Sequence, residues 1–278
     1  MEYSMTRSMV LLLAVATGMT VASLYYAQPL LEAIRATLGL DVTGAGLIFT
    51  ASQLGYAIGL ALLVPLGDLF ERRKLVVIMT LGIAAGLAGI GFSSNGSILL
   101  LLSVVVGALS AVAQILVAFS ADLAGAAERG RVVGTVMSGL LLGVLLARTV
   151  AGILAQLWGW RMVFWLAAGS MMVIALAMYR GLPFRTPNVD YGYLSLLKSM
   201  PMIFIEERIL RLRPEARSRL TSAYMTFFFI GGVVGSSLSV LVYAKAGWTG
   251  VCAIGAALGL LAAVIWAVER NGVKSVKS

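Results

Sequence analysis

Histidine is absent from the 278 residues, and cysteine occurs once, as Cys252 inside an apolar run. Without histidine there is no imidazole proton relay and no histidine-based metal site. A single cysteine cannot form an intrachain disulfide and says nothing of redox compartment. Charge is scarce as well: 12% of residues are charged, against about 25% in a soluble domain. No acid lies deep in an apolar run, since Glu32, Asp68 and Asp122 all sit near run ends. A membrane proton carrier usually needs a carboxylate or imidazole at depth, so a proton-coupled cycle has poor support. No phosphate-cradling loop, metal-ligand cluster or nucleophile–base set is present, which leaves an enzyme reading unsupported and calls for no cofactor.

What remains is apolar. The chain is 60% hydrophobic with a mean hydropathy of +0.97, the composition of an all-α polytopic membrane protein. The formal charge of +9 does not indicate nucleic acid, because the basic residues stand at the ends of apolar runs rather than on one polar face. The N-terminal run is too long for the core of a signal peptide and reads as an uncleaved first span.

A span needs about 20 mostly apolar residues. Eight are expected: 8–31, 44–66, two within the uncharged run 75–121 that is broken at 93–97, then 132–157, 162–179, 220–244 and 249–268. Eight spans put both termini on one side. That side then holds 17 of the 21 Lys and Arg residues, and the other holds Arg35, Arg161 and Lys245. Arg148 lies within a span. Positive charge stays in the cytoplasm, so both termini are expected there. The polar stretch 180–219 contains short apolar segments interrupted by Lys198, Pro201, Glu206 and Glu207. It reads either as an amphipathic helix on the inner leaflet or as a disordered linker.

Residues 129–164 are nearly repeated. Shifted by 88 positions without a gap, Arg129 meets Arg217, Arg131 meets Arg219, Met137 meets Met225, Gly143 meets Gly231, and Gly159-Trp160 meets Gly247-Trp248. The unit is a pair of arginines, an apolar run with a central glycine, Gly-Trp, and a second apolar run. Internal duplication is the simplest account. Small residues also recur at four-residue spacing (Gly55 and Gly59, Gly82 and Gly86, Gly139 and Gly143, Gly231 and Gly235), a spacing that lets helix backbones approach in lipid. In the fifth span the small face continues through Ala147 and Ala151 and is expected to be a helix contact.

Arg148 is the most informative residue. A charge near the bilayer centre costs at least ~2.5–3.5 kcal/mol, so it either serves a substrate site or gate, or snorkels on its long stem to the outer interface. Tyr25, Tyr26, Gln28, Gln53 and Gln114 are neutral polar groups within spans that could line the same cavity, or could equally be packing hydrogen bonds. Pro29, having no N–H, breaks the helix ladder beside Gln28. The turn holding Asp68, Arg72, Arg73 and Lys74 is a candidate charge latch on the cytoplasmic face, together with Asp122; its basic residues alone would also serve as a topological anchor.

The run Pro65-Leu66-Gly67-Asp68-Leu69-Phe70-Glu71-Arg72-Arg73-Lys74 resembles the loop between spans two and three of the major facilitator superfamily, especially its bacterial efflux-type members. Leu69 and Glu71 replace the usual Arg and Gly. The fifth span is similar to that family's antiporter motif at Gly134, Gly143 and Gly152, with Ala147-Arg148 where Gly-Pro is usual. Ser103 lies near the place of a fourth-span Arg. The resemblance implies a six-helix N-terminal half at 1–181 and a cytoplasmic linker at 182–219. It also implies two C-terminal helices at 220–278 equivalent to spans eleven and twelve. Spans seven to ten would be missing, with a join near Arg211-Leu212-Arg213. It further implies a bacterial inner-membrane exporter of small organic molecules that works by alternating access. A homodimer would be needed to supply the second wall. The alternative is a non-transporting remnant or membrane interaction protein.

Overall fold

The structure, a computed structural model, describes residues 5–125, 127–184 and 217–275, with side chains of the last helix described over 230–259. Much of the linker expected at 182–219, including its candidate interfacial helix, lies outside the described residues.

Local chemistry sets each boundary. Helix α1, Arg7–Ala22, starts where the Thr6 hydroxyl accepts from the Met9 N–H. It stops earlier than the sequence suggests. The span expected as one run over 8–31 is helical only to Ala22, then opens through turns stapled by i→i−3 bonds such as Tyr25 N to Ala22 O (2.9 Å) and Gln28 N to Tyr25 O (3.2 Å). Pro29 explains the opening. Its ring would collide with the carbonyl four residues back, and it offers no N–H. A 3₁₀ turn, Gln28–Leu30, leads into α2, Leu31–Leu38, which Gly39 ends with φ of 63°.

Asp41 caps α3, Val42–Leu62, and a 3₁₀ segment, Val64–Asp68, follows. Helix α4 is Arg72–Phe92, and Asn95 caps α5, Gly96–Ser110, at the break expected over 93–97. Ala111 separates α5 from α6, Val112–Leu123. Helix α7 is Arg129–Trp158, α8 is Trp160–Gly181 and α9 is Arg217–Ser275. The two Gly-Trp copies behave alike. Gly159 separates α7 from α8 with φ 81° and ψ 160°, and Gly247 bends α9 with φ 61° and ψ −159°. Both values fall in a backbone region essentially confined to glycine, so the repeat in sequence is a repeat in conformation.

Six segments among the described residues are long and apolar enough to cross a membrane: Val42–Asp68, Arg72–Phe92, Gly96–Leu123, Arg129–Trp158, Trp160–Gly181 and Ile230–Gly259. Helix α1 is shorter, at 16 residues. The Ile230–Gly259 window straddles Gly247, the point that divides the two spans expected over 220–268.

Small residues set the closest packing, as the four-residue spacing predicts. A Cβ on Gly55 or Gly59 would strike the backbone of α5 at Val104 or Ala108, and one on Gly139 or Gly143 would strike α1 at Ala14 or Gly18. Ala147 and Ala151 complete that face and are buried. Gly231 and Gly235 differ: both face open space, and α9 meets α3 instead through Gly46 against Val240 and a 3.1 Å bond between the Thr50 and Ser236 hydroxyls. Several buried hydroxyls are satisfied within their own helices, for example Thr20 to Ala16 O (2.6 Å) and Ser103 to Leu99 O (2.8 Å).

The loops alternate between two ends. Thr6, Arg73, Leu123 and Arg180 line one cavity at the arginine-rich end. At the other end Trp160 Nε1 donates to the Thr37 hydroxyl (3.1 Å) and Arg161 to Ser93 O (3.0 Å).

Candidate functional site

The opening of α1 creates the first polar cluster. Released from the helix, Tyr25 lies with its ring centroid 6.3 Å from that of Phe49 on α3. The Arg148 guanidinium of α7 lies 5.5 Å from the centroid of the Tyr25 ring, a cation–π contact. Arg148 is exposed, and among the described residues no carboxylate lies within ion-pair distance of it. The site therefore holds a cation matched to an aromatic face, with its guanidinium N–H groups available. The opening is fixed from behind by a 2.8 Å bond between the Ser23 and Ser110 hydroxyls, where α5 gives way to α6.

The other candidates divide. Gln114 Nε2 reaches Tyr56 Oη at 3.4 Å, and Tyr56 is 1% exposed. Gln53 is buried, with Oε1 lacking a partner among the described residues and Nε2 beside Gly232 of α9. Gln28 is half-buried in the 3₁₀ turn. Tyr26 turns away from Tyr25 and lines a groove of about 490 Å³ between α1 and α7 with Gly143, Leu146 and Ala147. Tyr25 and Arg148 are thus brought into contact, Gln114 and Gln53 are tied to α3 and α9 neighbours, and Tyr26 belongs to the groove. Phe49 and Tyr56 were not anticipated. The available signal was spacing, since Thr50, Gln53 and Tyr56 recur every three residues along one face of α3.

The second cluster is the charged turn. Arg72 binds Asp122 at the end of α6, reaches Asp68 Oδ1 at 3.3 Å, and donates Nε to Gly67 O at 2.9 Å. One guanidinium therefore joins three elements through charge-assisted bonds. Glu71, which departs from the family pattern, acts as the N-cap of α4 by accepting from Arg73 N (2.9 Å) and Lys74 N (2.8 Å). Among the described residues Arg73 makes no ion pair with an acid. It donates to Leu182 O (3.2 Å) and stacks on Tyr179 and Phe184 at 4.7 and 4.6 Å. Lys74 Nζ lies 5.8 Å from the Phe184 ring centroid. Of the candidate latch residues, Asp68, Arg72 and Asp122 are joined by ion pairs, while Arg73 and Lys74 lie against residues at and just after the end of α8.

Comparison with known proteins agrees with this architecture. The family model for the Major Facilitator Superfamily matches residues 11–194. An uncharacterized transporter of Escherichia coli O157:H7, YgaY, is 35% identical over 379 positions that take in 95% of this chain and 96% of the relative. An alignment of that length over 278 residues leaves roughly a hundred positions of the relative without a counterpart. Because nearly all of both chains is aligned, the shortfall is internal, and it is about the length of four spans with their connections. A chloramphenicol resistance protein of Streptomyces lividans is 28% identical over 62% of this chain and 44% of its own. Among solved structures, the peptide transporter POT in complex with sulfate matches with a TM-score of 0.56 and 18% identity, covering 85% of this chain and 52% of its own. A bacterial homologue of the human lysosomal transporter Spinster, inward-facing and unoccupied, matches with a TM-score of 0.56 and 13% identity over 84% of this chain and 60% of its own. The chain spans about half the length of these solved structures. It is an all-α membrane protein, and it belongs to the Major Facilitator Superfamily.

Proposed function

We propose that the chain supplies one wall of a transport pathway for small organic molecules, open on the side where Tyr25 and Arg148 meet. The observation that carries this reading is Arg148: a cation within a span, stacked on Tyr25 and paired with no carboxylate among the described residues. Such a group suits a substrate bearing negative charge, and Gln28, Gln53 and Gln114 would supply neutral polar contacts beside it. Residues 1–181 form the six-span half, 182–219 the linker, and 220–278 two helices of the other half. A second copy of the chain provides the wall that the missing spans would have built, and the two walls alternate in access. Asp68, Arg72 and Asp122 hold the arginine-rich end, which faces the cytoplasm of a bacterial cell with both termini. Export is the direction that fits the Streptomyces lividans relative, a chloramphenicol resistance protein.

A second reading has its own support. Four spans' worth of sequence has no counterpart in the chain, and α7 buries only Val132, Val136, Ala147 and Ala151. A remnant that no longer transports would have these features. Purified chain in proteoliposomes separates the two. Flux of an organic anion that Arg148→Ala abolishes supports the transporter, and a monodisperse chain giving no flux for any tested substrate supports the remnant. Flux unchanged in Arg148→Ala removes Arg148 from the pathway.

A further inference from the structure

At the arginine-rich end, the start of α1, the start of α4 and the end of α8 enclose a cavity of about 800 Å³. Among the described residues, its polar wall consists of the Thr6 and Ser8 hydroxyls and two arginines, Arg73 and Arg180, with no carboxylate. Two like charges facing one cavity repel each other where, as among the described residues, no acid stands between them. Arg73 is held in place by its bond to Leu182 O and by Tyr179 and Phe184 against its guanidinium. Even so, its Nε is buried and has no partner among the described residues. A buried donor left unsatisfied in a fixed side chain indicates an ion or water not among the protein atoms. The positive end of the 16-residue α1 lies at the same place, which adds to the attraction for an anion. The rest of the wall is apolar, with Phe184 at its edge.

We propose that this cavity binds the phosphate of an anionic ligand, with a phospholipid headgroup seated against Arg73 and Arg180 and the start of its acyl chains on the apolar wall. The site is separate from the Tyr25–Arg148 cluster and does not depend on the transport reading.

The experiment uses the full chain in vesicles of phosphatidylcholine containing phosphatidylglycerol, followed by detergent extraction and quantification of co-purified lipid. Arg180 is exposed, so Arg180→Glu is the main variant. Arg131→Glu, at the same end but outside the cavity, is the control. Wild type retains phosphatidylglycerol over phosphatidylcholine. Arg180→Glu retains at least about fivefold less, the contribution of one basic residue at an anionic surface, and Arg131→Glu matches wild type. In a separate arm, inorganic phosphate at millimolar concentration is added before extraction. Displacement of the lipid shows that the cavity reads the phosphate alone; persistence of the lipid shows that the acyl chains also bind. Either result supports the site. Equal loss in Arg180→Glu and Arg131→Glu overturns it, because the attraction is then diffuse. If Arg180→Glu proves unstable, thermal stabilisation of the wild type by phosphatidylglycerol or phosphate decides, and absence of both overturns the proposal.

Discussion

Two glycines nine residues apart on α7 should respond in opposite ways to the same substitution. Gly143 lies against Gly18 of α1 so closely that a Cβ would enter the backbone carbonyl of that residue. No flexible side chain is present to swing aside, so α1 and α7 would have to separate. Gly152 has nothing within 4 Å of the same ideal Cβ. Replacing either with Val changes the intrinsic helix preference by the same small amount, well under 1 kcal/mol, and this cancels in the comparison. The difference that remains is the packing cost. Overpacking against an obstacle that can move costs about 1–3 kcal/mol, and backbone sets the upper end, so Gly143→Val should be less stable than Gly152→Val by roughly 3 kcal/mol. Denaturation in mixed detergent micelles followed by circular dichroism, with both variants run together, measures it. Equal midpoints would refute the close α1–α7 contact. A larger loss at Gly152 would show that another helix covers this face of α7 in the assembled protein.

The charged turn, the Gly-Trp bends and Arg148 give three further expectations. Arg72→Gln removes the guanidinium from between Asp68 and Asp122 and should destabilise the chain by about 2 kcal/mol, below the full figure for a buried pair because Asp122 is 53% exposed; adding Asp122→Asn should recover part of the loss in the same assay. Gly159→Ala and Gly247→Ala each force an L residue into the glycine-only region, so each should lower stability by roughly 1–3 kcal/mol, and similar losses would reflect the shared conformation of the repeat. Arg148→Ala should abolish organic-anion flux while leaving helicity and the mass in detergent unchanged, as read by proteoliposome uptake and light scattering.

Most boundaries were legible because they depend on local chemistry: Asp41, Asn95 and Pro29 act through their own side chains within a few residues. The close contacts at Gly55, Gly59, Gly139 and Gly143 were legible because in lipid only small residues let backbones meet. The early end of α1 was harder to read. Its segment 23–27 carries no Pro or Gly of its own, and Pro29 acts backward on it by removing a bond and crowding a carbonyl. The site was legible only in part. Polar groups in apolar runs stand out, so Arg148, Gln53 and Gln114 were found. Their partners, Tyr25's neighbour Phe49 and the phenol of Tyr56, are aromatic and merge with the apolar background until the fold brings them together. Glu71 shows the opposite case, since a residue that departs from the family pattern proves to cap a helix with its own carboxylate.

The repeat also sets the surroundings of Arg148, which has no carboxylate partner among the described residues, beside those of its counterpart on α9. Helix α9 meets α3 through Gly232 beside Gln53, Ser236 bonded to Thr50, and Val240 against Gly46. Shifted back by 88 positions, these three residues fall on Val144, Arg148 and Gly152 of α7. Spaced four apart, they form one face, distinct from the face of Gly139, Gly143, Ala147 and Ala151 that packs on α1. On α9 this face is occupied by α3; on α7 Arg148 is exposed and Gly152 has open space around it. Helix α7 therefore presents to its surroundings the surface that its own duplicate gives to an α3-like helix. Ser236 has Thr50 opposite it, whereas the Arg148 guanidinium has the Tyr25 ring as its near neighbour and, among the described residues, no carboxylate within ion-pair distance.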